Sequence, residues 1–336
     1  MNDTGKYSLY SMNLELTTAC PLRCPQCYCT LDGVRHLDIE TAKKRIDEAV
    51  ELGLKSLNLS GGETLCYPRL YDLIAYASER VEYVNIAISG ALFNQGVYDK
   101  LIEAGVSEIS VSLNGSTPEI NSLTRDGYEY AIAALNLLKE KNYKHIVINW
   151  VMHSNNSYDF ANMLALSEKY NVDSILVLGL KPDSKKMLSS LPSAEQIEFV
   201  SKTIKHNRGK VKIQVDSCYS NFLAFHLETR LFGNLNISGR KGCGAGRDGI
   251  SVNVDGKYTP CRHIEVTEEF DNMKSYWENS QALHMLRDIE NNRKEPCLSC
   301  YYQNYCRHCQ AISWNLKGSF FLGFEQCSVY KPLNIE

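Results

Sequence analysis

At 336 residues, 44% of them hydrophobic, the chain is longer than one ordinary domain and holds apolar material for a large core plus an appended module. A net charge of −3 with scattered basic residues argues against a nucleic-acid surface, and no apolar run approaches the length needed to span or anchor in a membrane. The opening MNDTGKYSLYSMNLEL has neither the charged start nor the apolar stretch of a secretory signal, so a cytoplasmic location is expected.

From residue 12 to about residue 215, short apolar runs alternate with amphipathic stretches, the pattern of repeated βα units around a parallel sheet. The expected strands are Met12–Thr17, Lys55–Leu59, Tyr83–Ile88, Val106–Leu113, His145–Val151, Ser174–Leu178 and Val211–Val215. Between them Asp38 is placed to cap IETAKKRIDEAVEL and Gly53 to close it. Asp99–Ala104, Tyr128–Lys141, Asn156–Lys169 and Ala194–His206 read as further helices. The fold class is therefore α/β, a partial (β/α)6 TIM-like barrel over residues 1–234. After Asn234 the character changes to glycine, cysteine and short turns, with SVNVDGKYTPC read as a hairpin turning at Asp255-Gly256. Residues 235–336 are expected to form a separate cysteine-rich extension.

Thirteen cysteines in a reducing compartment indicate metal or catalysis more than disulfides. Four lie between residues 20 and 29 and seven from Cys243 onward, so two cysteine-rich sites are implied. Cys20-Pro-Leu-Arg-Cys24-Pro-Gln-Cys27 follows the first strand directly, at the end of the barrel where such folds build active sites. Three thiolates can hold three irons of a [4Fe–4S] cluster and leave the fourth open. A zinc knuckle completed by Cys29 is the competing reading. Ser60-Gly61-Gly62-Glu63 follows the second strand, where glycines permit close approach and a carboxylate can face an amine.

With both motifs in place, Met12 to Cys327 resembles the radical S-adenosylmethionine (SAM) superfamily. The resemblance implies that Cys20, Cys24 and Cys27 bind a cluster whose open iron is chelated by SAM, and that a 5′-deoxyadenosyl radical takes a hydrogen from substrate. It further implies that Gly61, Gly62 and Glu63 hold the methionine amine and that Ser89 reaches the cofactor's polar end. Ser112, Asn114 and Asn149 are candidates for its carboxylate or ribose. Gln26 stands where the family usually has an aromatic residue, with Tyr28 on the other side of Cys27, and Thr64 replaces the common proline after GGE.

The C-terminal cysteines resemble a SPASM extension, which in related enzymes carries two auxiliary [4Fe–4S] clusters; a zinc ribbon is the blander alternative. By family position Cys297, Cys300, Cys306 and Cys327 hold the outer cluster, while Cys243, Cys261 and Cys309 hold the inner one. The inner cluster then has an open iron or an upstream ligand, for which Cys218 is the first candidate. Cys218 also reads as a thiol hydrogen donor or as a buried small hydrophobe, the last reading applying to Cys29 and Cys66 too. His153, His226 and His263 are further possible bases that no spacing singles out.

Cofactors implied are SAM and three [4Fe–4S] clusters. SPASM-bearing relatives mostly modify peptides, by crosslinking, epimerisation or oxidation, so a ribosomally made precursor peptide is the expected substrate. A sulfatase-maturating oxidase is the alternative, weakened because Arg262 follows Cys261 where those relatives carry an acidic residue. A non-catalytic zinc or iron–sulfur interaction protein is the reading of another class. The barrel starts too near the first residue to leave room for a fused leader-recognition domain, so a separate recognition protein is expected, with flavodoxin or ferredoxin as electron donor.

Overall fold

The computed structural model describes residues 7–333 apart from 30, 32, 220, 223, 224 and 226–241. Its strands are β1 (Ser11–Glu15), β2 (Ser56–Ser60), β3 (Tyr83–Ile88), β4 (Glu108–Ser112), β5 (Ile146–Met152), β6 (Ser174–Gly179), β7 (Lys212–Val215), β8 (Gly249–Val252) and β9 (Tyr258–Thr259). Its helices are α1 (Ile39–Glu51), α2 (Leu70–Ser78), α3 (Gln95–Glu103), α4 (Pro118–Ser122), α5 (Tyr128–Glu140), α6 (Phe160–Lys169) and α7 (Ala194–His206). After β9 follow α8 (Met273–Asn279), α9 (Gln281–Arg287), α10 (Ile289–Asn292) and α11 (Gln310–Lys317).

Each of the seven expected barrel strands is present. The helices differ more. α3 starts at Gln95, four residues before the expected Asp99, because Asn94 accepts the Val97 amide at 3.1 Å and caps it there. α2 escaped the reading altogether; it follows Pro68 and buries Leu70, Leu73, Ile74 and Ala77. The expected helix Asn156–Lys169 opens as a 3-10 turn over Ser157–Asp159. Asp38 caps α1 as expected, accepting the Thr41 amide at 2.8 Å, and Gly53 takes a φ of 99° after it.

Packing divides the chain into two compact units, and the boundary expected near residue 235 lies outside the described residues. The first unit comprises Met1–Ser112, Arg125–Ile146 and Ala245–Arg287. Its strand order is β4-β3-β2-β1-β8-β9, parallel except for the antiparallel β8–β9 hairpin. The hairpin was anticipated; its pairing alongside β1 was not. Along β1 to β3, Met12, Leu14, Leu57, Leu59, Val84, Ile86 and Ile88 are buried on one face, where α1 presents Ala42, Ile46 and Ala49. Each large aliphatic side chain so covered contributes about 2 kcal/mol. The other face is polar: Asn13 is in register with Asn58 and Asn58 with Asn85, whose amide donates to Asn58 at 3.2 Å. A polar inner face leaves the strand ends open to a ligand instead of filling the interior with aliphatic layers.

The second unit comprises Leu113–Thr124, Val147–Gly244 and Asp288–Glu336. β5, β6 and β7 are parallel and carry α6 and α7, with Trp150 buried against Phe160 at 4.8 Å. A reciprocal Ser193–Gln196 capping box starts α7, which buries Ile197, Val200 and Ile204. The segment after Asp288 is mostly turns, closed by α11 and by Gly318 at a φ of 64°.

Candidate active site and cysteine centres

The loop after β1 is held by its own backbone. Thr17 donates its hydroxyl to the Arg35 carbonyl at 3.1 Å and Thr18 donates to the Gly33 carbonyl at 2.8 Å. Arg23 donates to the Cys20 carbonyl at 2.8 Å while its own amide donates to Asp126 at 3.0 Å, and the Cys27 amide closes a turn onto Cys24 at 3.0 Å. The three thiols are mutual neighbours: burial pushes Cys20 up, and the charges of Glu63, Cys24 and Cys27 push it further. Cys27 moves the other way because Cys29 donates to it, with Arg125 and Arg23 nearby, so it favours the thiolate that binds metal. Cys29 itself reaches the Gly61 carbonyl at 3.3 Å. Three thiols carried on one short loop, with two guanidinium groups near Cys27, are the donor set of an iron–sulfur cluster with an open iron.

Glu63 is 2% exposed. The Ser89 amide donates to its Oε2 at 2.8 Å and the Ser89 hydroxyl donates to the same oxygen, while the Leu65 amide approaches Oε1 at 3.2 Å. Ser89 thus orients the carboxylate, leaving acceptor capacity for a cationic amine. The glycines admit the protein's own chain: a Cβ at Gly61 would sit 2.5 Å from the Thr17 carbonyl oxygen, and one at Gly62 2.6 Å from that of Ala19. The Gly62 and Glu63 amides donate to those same two carbonyls, locking the two motifs together.

The polar candidates near other strand ends separate clearly. Asn114 is spent on structure: its amide nitrogen donates to Thr124 at 3.0 Å and its side-chain oxygen accepts the Val151 amide at 3.0 Å. Among the described residues the buried Oδ1 of Asn149 has no partner, nor has the buried Oγ of Ser60, a residue quoted in the Ser60–Glu63 motif but given no role from sequence. A buried orphan acceptor is costly unless a ligand supplies a donor. Ser112 is half-buried at the end of β4. Burial lowers His153 to about 4, holding it neutral, and His226 lies outside the described residues.

In the second unit Cys297, Cys300, Cys306 and Cys327 line one cavity. Burial, then the neighbouring thiols, pushes Cys297 and Cys327 up to about 12 each. A Cβ at Gly323 would sit 2.4 Å from the Cys297 sulfur, so only glycine leaves that thiol its place. The His308 amide points at the Cys306 sulfur at 3.3 Å, and buried Arg293 donates to the Cys306 carbonyl at 2.9 Å. Among the described residues no three Cys, His, Asp or Glu side chains converge on a single-ion point. Four thiols ringing a cavity suit a polynuclear cluster better than one tetrahedral zinc.

Of the other cysteines, Cys218 and Cys309 meet through a shared hydrogen bond, with Lys181 and Asp216 beside them. Asp216 accepts from Cys218 at 2.6 Å and from Lys181 at 3.4 Å. Cys243 accepts from Arg307 at its carbonyl, 3.3 Å away. Cys261 belongs to the first unit, where its sulfur accepts the His263 amide at 3.5 Å.

A cavity of about 490 Å³ lies in the first unit, lined among others by Glu15, Tyr28, Gly61, Gly62, Cys261 and Arg262. Tyr28 packs on His263 at 4.3 Å, and the Arg262 guanidinium sits 5.0 Å from the Tyr28 ring centre. Burial raises Glu15 to about 7 despite the pull of Arg262. Strand alternation alone puts Glu15 on the polar face of β1, opposite Met12 and Leu14, which was the available signal for it.

Residues 14–166 match the Radical SAM superfamily model. The chain is 26% identical to an AdoMet-dependent heme synthase of Methanosarcina barkeri, over 95% of each chain, and 28% identical to a PqqA peptide cyclase of Granulibacter bethesdensis, over 89% of this chain and 82% of that one. Among solved structures it is similar to Streptococcus suis SuiB bound to precursor peptide SuiA, with a TM-score of 0.76 and 15% identity over 96% of this chain and 77% of that one. It is also similar to anSMEcpe with bound AdoMet and Cp18Cys peptide, with a TM-score of 0.69 and 16% identity over 95% of this chain and 94% of that one. These structural likenesses are of fold: a mostly parallel, unclosed sheet with helices, a partial TIM-like barrel.

Proposed function

We propose that the chain, whose residues 14–166 match the Radical SAM superfamily, is a radical SAM enzyme that uses S-adenosylmethionine and a [4Fe–4S] cluster to modify a ribosomally made peptide. The observation that carries the chemistry is the three-thiol loop after β1 locked to a buried, Ser89-oriented Glu63. When bound there, the cofactor pair supplies a 5′-deoxyadenosyl radical that abstracts a hydrogen atom from substrate. The protein's part is to position. Cys20, Cys24 and Cys27 hold three irons, Glu63 receives the methionine amine, and the orphan oxygen of Ser60 accepts a donor from the rest of the cofactor. Ser112 and Asn114 contribute less directly, Asn114 by fixing the turn that carries Trp150 and Val151.

Two auxiliary [4Fe–4S] clusters complete the reading, in a SPASM-type extension over residues 235–336. Cys297, Cys300, Cys306 and Cys327 hold the outer one; Cys243, Cys261 and Cys309 hold the inner one. The pairing of Cys218 with Cys309 supports Cys218 as its fourth ligand. Peptide substrates follow from the likeness to PqqA peptide cyclases and to a peptide-binding fold. The sulfatase-type oxidation is disfavoured because Arg262, always charged, offers no lone pair as a base. A second reading, a heme-synthase-like reaction, is favoured by the alignment spanning 95% of both chains. A separate leader-recognition protein and a flavodoxin or ferredoxin donor are the expected partners. No helix among the described residues is long and apolar enough to cross a membrane. Oxygen-sensitive clusters suit a cytoplasmic setting.

The test is anaerobic reconstitution. About twelve irons per chain and release of 5′-deoxyadenosine on reduction with SAM are expected, followed by mass analysis of a coexpressed small peptide. Loss of two hydrogens marks crosslinking or oxidation; unchanged mass with deuterium uptake marks epimerisation. Zinc-loaded, colourless protein that cleaves no SAM would overturn the reading.

A further inference from the structure

The 490 Å³ cavity of the first unit holds three cations whose surroundings differ. Arg35 lays one nitrogen against both carboxylate oxygens of Asp255 at 2.7 Å, and Lys257 pairs with Glu269 at 2.9 Å. Arg262 makes no hydrogen bond and no ion pair among the described residues; its guanidinium only overlies Tyr28 at 5.0 Å. The lining carboxylates Glu15 and Glu265 form no ion pair with it among the described residues, although the Glu15 charge is near enough to act on it. A half-buried guanidinium with its fork of donors uncommitted is poorly solvated and poorly paired, a state that a planar anion relieves. The Tyr28 ring under the guanidinium gives it a cation–π neighbour that favours one placement, which lowers the ordering cost of binding.

Position gives the anion its meaning. Tyr28 directly follows Cys27, Arg262 directly follows Cys261, and Gly61 and Gly62 form part of the same cavity wall. Whatever enters this cavity therefore lies beside the Gly61–Gly62 backbone that leads into Glu63. We propose that Arg262 is a specificity-determining residue that binds a carboxylate of the substrate, an acidic side chain of the peptide, against Tyr28. The inference rests on the peptide-modifying reading and gives it a chemical selectivity.

Reconstituted full-length enzyme with SAM is titrated with two pools of blocked heptapeptides that differ only in a central Glu or Gln. Wild type binds the Glu pool about tenfold more tightly, as one charge-assisted bidentate contact provides. Arg262→Gln abolishes the preference and leaves Gln-pool affinity unchanged, while Arg262→Lys retains part of it. Iron content and the electron-paramagnetic signal of the SAM-bound cluster establish that each variant is assembled. A wild type that treats the pools alike, that binds neither, or an Arg262→Gln variant that keeps the preference, overturns the inference. Arg262-dependent binding of a porphyrin tetracarboxylate in place of the Glu pool overturns the peptide assignment. 5′-Deoxyadenosine release is read in parallel. Cleavage without Glu preference sinks this inference alone, and Glu preference without cleavage sinks the radical reading alone.

Discussion

The two cysteine sites are built on opposite principles. Cys20, Cys24 and Cys27 come from one short loop, half-buried to exposed, and their environment is set by the strand before them and by Glu63 and Ser89. Cys297, Cys300, Cys306 and Cys327 are drawn from a span of turns, line one cavity, and depend on Gly323 and Arg293 for room and charge balance. The first arrangement leaves a coordination position and a path for ligands; the second surrounds its contents. On the proposed reading the first is a site for chemistry and the second one for storage or transfer of electrons, and each variant below separates them.

The largest expected effect is at the loop. Replacing Cys20, Cys24 and Cys27 with alanine abolishes 5′-deoxyadenosine release and removes about four of about twelve irons, leaving the rest. The mirror experiment is Gly323→Val, whose side chain takes the space of the Cys297 sulfur. It lowers iron by about four per chain while SAM cleavage at the first loop persists. If Gly323→Val instead kills cleavage and leaves iron unchanged, the division of labour is wrong.

Glu63→Gln comes next. Removing the buried charge weakens the hold on the amine, and a loss of about 10- to 100-fold in SAM affinity is expected by equilibrium dialysis. Ser89→Ala is milder, about tenfold, because Glu63 keeps its charge but loses one of the donors that orients it. Equal losses for both would mean that orientation matters more than charge.

The smallest effect is one of pH. Glu15 is raised to about 7 in the folded chain from 4.5, so folding favours its protonated form. Its contribution to stability is full below about 4.5 and is lost as pH rises through about 7, up to roughly 3 kcal/mol. Glu15→Gln should therefore denature later in urea than wild type at pH 8 and similarly at pH 4.5. No difference at pH 8 would show that Glu15 is solvated in the native cavity.

What could be read in the linear chain was whatever repeats or clusters locally. Seven strands announced themselves by period, Asp38 by cap chemistry, and the first cysteine site by spacing within eight residues. Helix α2 did not, because its apolar stripe is short and follows a proline. The grouping of Cys297, Cys300, Cys306 and Cys327 came from the family resemblance, and the structure has these four lining one cavity.

The tertiary structure decided the rest, because hydrogen bonds and desolvation act between residues far apart in sequence. It alone separated Asn114, tied to Thr124 and Val151, from Asn149, whose oxygen is left unpaired, although both sit at strand ends. It assigned Ser89 to Glu63, brought Cys218 to Cys309, and laid the β8–β9 hairpin beside β1. That last pairing carries Arg262 to Tyr28, two residues 234 positions apart that no period or spacing connects. The motif for starting the reaction is thus written in consecutive residues, while the surface that chooses the substrate exists only once the sheet has formed.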